Sequence, residues 1–249
     1  MPLTVNPAGA HATARGGYVR CRIRIDRLPR FRSLLFVRAD DAAALERALG
    51  SGADAVVADL EDSTPAAAKA RARDLLANTW HGSPTGPARL VRVNDLEGPL
   101  AADDLALVAD LALDGLVVPQ ASIQTIDGAA ATGLPVVAVV ESARGLRDAY
   151  ELALRPHVDG LALGAKDLSH DLGLQPREDA HELLYARGKI VADGVAAGVS
   201  GLFDRVFAGD DETRAAADAA FGRSLGFRGK STLRPEHVAA INAAFTQAG

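Results

Sequence analysis

Two acidic residues stand where apolar runs give out. Residues 134–140 run into Glu141-Ser-Ala-Arg144-Gly145, and residues 158–163 run into Gly164-Ala-Lys166-Asp167. Carboxylates at the ends of successive buried strands would face one mouth of a parallel sheet or barrel. Carboxylate oxygens with open positions suit a hard cation such as Mg²⁺, which usually keeps waters and a substrate oxygen in its shell. One reading is metal-assisted chemistry on an anionic small molecule. The other is two solvated acids capping the helices that follow, because Asp and Glu are common at helix starts.

Other strand ends supply more polar groups. The first strand ends near Arg38-Ala-Asp40, the second in Asp59-Leu-Glu61-Asp62, the third in Arg92-Val-Asn94-Asp95 and the fourth in Pro119-Gln120. Carboxylates for a metal and arginines for a second anion would converge on one rim. Arg92 suits a substrate carboxylate, since its planar fork matches that group bidentately. It could equally pair with Asp59, and Asp62 could cap the helix starting near Pro65. Lys166 admits a Schiff-base role, but a salt-bridge or surface role fits its Gly-flanked loop better. Cys21 has no strand-end position, and the six histidines lack metal-type spacing. There is no G-x-S-x-G elbow and no P-loop.

The positioning elements follow from hydrophobic pattern. Strand-like runs fall at 33–37, 55–59, 89–93, 115–119, 135–140, 160–163, 199–203 and, weakly, 226–230. Helical spacing fills about 41–50, 65–78, 100–113, 121–131, 144–154, 178–197, 211–224 and 235–246. Continuous apolar strands are those covered by helices on both faces. Eight β-then-α units predict a (β/α)₈ TIM barrel over 32–249, in which functional residues sit at the C-terminal ends of strands. A doubly wound sheet is the alternative, but the first βα turn lacks G-x-G-x-x-G. Residues 1–31 form an N-terminal extension with a flexible lead-in. Tyr18 to Asp26 within it alternates as an edge strand, placing Arg20, Arg22 and Arg24 on one face.

A formal net charge of −5 argues against a nucleic-acid surface. One cysteine excludes an internal disulfide framework and fits a reducing cytoplasm. No run approaches the ~20 apolar residues of a membrane span, and the N-terminus lacks an apolar signal core.

Seven segments in order resemble one family. They are Arg32-Ser-Leu-Leu-Phe-Val37, Ala58-Asp-Leu-Glu-Asp62, Val91-Arg-Val-Asn94, Glu141-Ser-Ala-Arg-Gly145, Gly164-Ala-Lys-Asp-Leu168 with Asp171-Leu-Gly173, Leu183-Leu-Tyr-Ala-Arg187 and Gly226-Phe-Arg-Gly-Lys230. Together they look like the citrate lyase β-subunit-like family of the HpcH/HpaI aldolase superfamily, from about Arg32 to Phe245. The resemblance implies a Mg²⁺-dependent carbon–carbon lyase, with Mn²⁺ as the alternate metal. Its substrate would be a carboxylated β-hydroxyacyl thioester, citryl- or malyl-like, on CoA or a carrier protein. A metal-stabilised enolate would form during cleavage. By resemblance, Glu141 and Asp167 are the metal ligands and Arg92 holds the substrate carboxylate. Asp59 and Glu61 sit beside the substrate or order the metal's waters. Arg32, at the base of the first strand, and Gln120 complete the substrate-binding set. The family also implies a homotrimer or hexamer. The C-terminal helix, with Val238, Ile241 and Phe245 on one face, would supply the partner surface or close its own barrel.

The chain departs from the family's usual pattern at Arg38-Ala39, Lys166 and Leu233-Arg234-Pro235. Three other readings therefore stay open: a metal-dependent aldolase for free 2-keto acids, a thioester hydrolase, and a barrel that serves as a non-catalytic subunit.

Overall fold

The computed structural model describes residues 31–80 and 86–246. The expected edge strand from Tyr18 to Asp26, with its three arginines and Cys21, lies outside the described residues. Eight parallel strands close into a barrel in sequence order: β1 (Ser33–Arg38), β2 (Ala55–Asp59), β3 (Ala88–Arg92), β4 (Gly115–Val118), β5 (Val136–Val140), β6 (Val158–Leu163), β7 (Gly201–Asp204) and β8 (Gly229–Thr232). β8 closes the ring by pairing Ser33 with Lys230. Around it run α1 (Ala42–Leu49), α2 (Lys69–Thr79), α3 (Ala101–Asp110), α4 (Ile123–Ala130), α5 (Ala143–Arg147), α6 (Ala149–Ala153), α7 (Ala165–Asp171), α8 (Leu184–Ala197), α9 (Glu212–Ser224) and α10 (Val238–Phe245). This is the expected (β/α)₈ barrel. None of the described helices is long and apolar enough to cross a membrane.

Several boundaries differ from the sequence pattern; the helix expected at 178–197, for one, begins as a 3₁₀ turn at His181. Segment 164–169, read as a loop, folds into α7 and buries Leu168 and Ser169; a seven-residue helix is too short to show its period. The single helix expected at 144–154 is split into α5 and α6 at Asp148. The eighth strand starts later than its apolar run, because Gly226 turns the chain at φ +101° and the pairing of Gly229 with Phe203 of β7 fixes the start.

Side chains of a strand alternate between the barrel interior and the helix layer. Inward positions form a separate core of Leu34, Ala55, Val57, Leu90, Val117, Val137, Val139, Ala162 and Phe203. Phe203 fills the space that glycines leave: a Cβ on Gly201 would lie 2.7 Å from its ring. Following the same period upward, Ala55-Val57 leads to Asp59, Leu90 to Arg92, Val137-Val139 to Glu141, and Ala162 to Gly164. The alternation therefore delivers the chemistry-bearing groups to one mouth.

Outward positions are mostly apolar, and the largest departure is a buried ion cluster. Between β7, β8, α8 and α9, Asp204 and Asp218 meet three cations. Lys230 Nζ lies 3.2 Å from Asp204 and 2.6 Å from Asp218, Arg205 lies 2.7 Å from Asp218, and Arg187 grips Asp204. Arg187, Asp204 and Lys230 are fully buried. Such a cluster fixes the geometry between layers, since removing one charge strands the others. Val238, Ile241 and Phe245 of α10 are buried within their own chain, where the helix packs on α9, β8 and β1. That face closes the barrel, so it is not the partner surface a homotrimer or hexamer would use.

Candidate active site at the barrel mouth

Strand register sets the first contact. Asp59 of β2 pairs laterally with Arg92 of β3, so two inward side chains of opposite charge meet at the same height. Arg92 donates from Nε and Nη2 to the two oxygens of Asp59, at 2.7 and 2.6 Å. Its Nη1 lies 2.8 Å from Glu61 Oε2, and its guanidinium stacks 5.4 Å from the Phe36 ring centre. Burial pushes the Asp59 carboxyl up, but Arg92, the Ser63 hydroxyl and the Glu61 amide outweigh it and hold it below the usual range. Asp59 also organises its own loop by accepting the amides of Glu61 (2.9 Å) and Ser63 (3.1 Å). Thr64 returns its hydroxyl to the Asp59 carbonyl at 2.6 Å. Asp62 is exposed, and no side chain caps the 3₁₀ turn beyond Pro65.

The second half of the site lies on β5 and β6. Glu141 is buried, and its Oε1 accepts the Gln120 backbone N–H at 2.6 Å. Gln120 reaches it by adopting φ 46°, a left-handed backbone rare outside glycine. Its side chain is exposed. Gln120 thus belongs to the site through its amide, which was not legible in the sequence. Ser142 caps α5 by accepting the Gly145 amide at 3.0 Å, so Glu141 is the last residue before the helix turns away. Asp167 sits in the first turn of α7. Asp171 of α7 accepts the Ala143 amide at 2.6 Å, tying the loops that carry Glu141 and Asp167.

Gly164 is the residue that sequence reasoning underrated. A Cβ there would lie 2.4 Å from Glu141 Cβ and 2.5 Å from its Oε2. The Glu141 carboxylate occupies the space a side chain would fill. Gly164→Ala should therefore cost about 1–3 kcal/mol of stability, the scale for forced overpacking. Chemical denaturation measures this; an unchanged midpoint would place the carboxylate elsewhere.

Asp59 and Glu61 contact the Arg92 guanidinium, Glu141 lies within reach of its charge, and Asp167 lies beside Glu141. Burial raises Glu141 to about 7, and Glu61 and Asp167 push the same way against Arg92 and the Gln120 amide. Burial likewise raises Glu61 to about 7, opposed by Arg92. Excess buried negative charge with few protein donors is the setting of a cation site. Among the described residues, no three or more His, Cys, Asp or Glu side chains form a full ligand cage. Two carboxylates are enough for an ion that keeps waters and takes a substrate oxygen.

Arg32 does not join them. It precedes β1 at the opposite end of the barrel and grips Asp54 at 2.7 Å. This corrects its place in the expected substrate-binding set: a residue before a strand's N-terminus lies a full strand length from the mouth. Lys166 and Arg144 are exposed on the rim.

The family described as HpcH/HpaI aldolase/citrate lyase matches residues 32–235, the whole span that builds this mouth. The chain belongs to that family. Among its relatives, a (3S)-malyl-CoA thioesterase of Cereibacter sphaeroides is 33% identical over 221 residues, covering 87% of this chain and 77% of the relative. The citrate lyase beta subunit of M. tuberculosis, solved with oxaloacetate and magnesium, superposes with a TM-score of 0.77 at 27% identity, covering 86% of this chain and 96% of that one. CitE of the same organism, solved with magnesium, acetoacetate and coenzyme A, gives 0.78 at 28% identity, covering 88% and 82%. Both of these M. tuberculosis structures hold magnesium and a small carboxylate, and one also holds coenzyme A.

Proposed function

We propose that the chain is a Mg²⁺-dependent carbon–carbon lyase acting on a carboxylated β-hydroxyacyl thioester of the citryl or malyl type. The observation that carries this reading is a buried Glu141 held over Gly164, on a loop that Asp171 ties to the helix carrying Asp167, at the mouth that also holds Arg92. Glu141 and Asp167 would hold the ion. When bound, it supplies a Lewis acid where negative charge develops on a carbonyl oxygen.

The chain's own residues would do the rest. Arg92 keeps Nε and Nη2 on Asp59, which fixes the guanidinium plane. Its Nη1 would exchange Glu61 for the substrate carboxylate. Phe36 walls that end of the site and limits water. The thioester arm would leave through the open mouth, past Arg38 and the Gln120 side chain. Fixing both the reacting carbonyl and the distal carboxylate orients the bond to be broken.

Hydrolysis of the thioester is the second reading, favoured by the likeness to the (3S)-malyl-CoA thioesterase. It starts from the same bound state and differs in which bond breaks. Incubation with (3S)-malyl-CoA and Mg²⁺ separates the two. Cleavage of the carbon–carbon bond yields acetyl-CoA and glyoxylate; hydrolysis yields malate and a free CoA thiol. We expect the first pair, and loss of both with EDTA. No cleavage and no hydrolysis of either (3S)-malyl-CoA or citryl-CoA, in protein shown by calorimetry to bind Mg²⁺, would sink both readings and leave the 2-keto acid aldolase and the binding subunit.

A further inference from the structure

Lys69 opens α2, behind the mouth, and its ammonium reaches back over the loop that follows β2. Nζ donates to the carbonyls of Leu60 (2.7 Å) and Glu61 (2.9 Å) and to Asn94 Oδ1. A lysine ammonium has three protons, and here each has an acceptor. The acceptors are themselves held. Asn94 is buried, and both its backbone N–H and its Nδ2 donate to Asp104 Oδ2 at 2.7 Å. That leaves Oδ1 for Lys69. Asp104 is buried and takes Arg73 Nε at 2.7 Å. On the other side, Asp59 accepts the Glu61 and Ser63 amides, and the Leu60 amide donates to the Arg92 carbonyl at 2.9 Å. The peptides of residues 60 and 61 are therefore clamped through their amides by β2 and β3 and through their carbonyls by Lys69.

We propose that Lys69 is a positioning residue that sets the Glu61 carboxylate against Arg92 Nη1, and so prepares the end of the site that receives the substrate carboxylate. This rests on the reading of Arg92 and Glu61 as that end. No other ordinary side chain offers three donors from one point. Arginine's donors diverge in a plane, and methionine keeps the bulk without the protons.

Two measurements test it. The first is independent of any reaction. Hydrogen exchange of the amides at 60–64 should quicken at least about tenfold in Lys69→Met, the scale for losing hydrogen bonds to a charged group, while the segment carrying Glu141 and Asp167 stays unchanged. Unaltered exchange at 60–64 overturns the proposal. The second is catalytic. Lys69→Met should keep wild-type Mg²⁺ affinity and lose about 10–100-fold in kcat/KM for (3S)-malyl-CoA, the scale of a misplaced catalytic group. In a Cys21→Ser background, Lys69→Cys alkylated with 2-bromoethylamine regains the ammonium and should recover at least tenfold. Lys69→Arg, and the same cysteine alkylated with iodoacetamide, should not. Equal recovery with the neutral adduct overturns the proposal. If wild type proves inactive on the thioester, the proposed reaction fails on its own. Exchange at 60–64, together with calorimetric affinity for oxaloacetate in Mg²⁺, then decides Lys69.

Discussion

Glu141→Gln should abolish tight Mg²⁺ binding and lower turnover of the thioester on the order of 10³-fold, the several kcal/mol a Lewis acid supplies. Glutamine keeps the shape and the acceptor that receives the Gln120 amide. It removes the charge that, with Asp167, would hold the ion. The fold should survive, because Glu141 is a rim residue above the inward core of Val137 and Val139 rather than part of it. The check is thermal unfolding with and without Mg²⁺. A ligand that binds only the folded state stabilises it by RT ln(1 + [L]/Kd), so the wild-type midpoint should rise with the logarithm of the Mg²⁺ concentration once that exceeds Kd. The variant should melt at the same temperature in both buffers. A Mg²⁺-dependent rise that persists in Glu141→Gln would remove Glu141 from the metal site.

The largest effect on stability belongs to Arg92. Arg92→Met leaves Asp59 fully buried without its partner, which should cost about 3–5 kcal/mol, the range for breaking a buried pair from one side. Arg92→Lys keeps a charge but loses the fork, and should instead weaken dicarboxylate binding by about 1–3 kcal/mol. The pH dependence separates a broken ion pair from lost packing. In the wild type the Asp59 carboxyl is held below its ordinary value, so its contribution is present at neutral pH and fades only as pH falls below about 4. Without Arg92, burial is opposed only by the Ser63 hydroxyl and the Glu61 amide, and the Asp59 carboxyl should rise. The folded variant then binds a proton that the unfolded chain does not, and its stability falls as pH rises above the ordinary aspartate value. The gap between wild type and Arg92→Met should therefore narrow between pH 7 and pH 4.5 in urea titrations. A gap independent of pH would assign the loss to packing and not to the Asp59 charge.

The sequence by itself determined the architecture and the height of the site. Eight apolar runs separated by helical spacing leave little choice but a parallel barrel, and each run's end marks a strand's end to within a few residues. Because side chains alternate, Asp59, Arg92 and Glu141 fall on one interior face as soon as their strands are placed. Local pattern could not tell Arg32 from Arg92 as an anion holder. Arg32 precedes its strand and Arg92 ends its own, and only the closed barrel gives Arg32 a standing partner, Asp54, far from the mouth. It could not separate the two roles open to Arg92; register decided that Asp59 is its standing partner. Gln120 enters through a backbone conformation that no residue type announces. Gly164 matters for the space it leaves to a side chain 23 positions away. Lys69 meets Asn94 across 25 residues. These are contacts between strands and helices brought together only by closure of the barrel. Closure depends on the summed packing of every unit, so no short window of sequence could carry them.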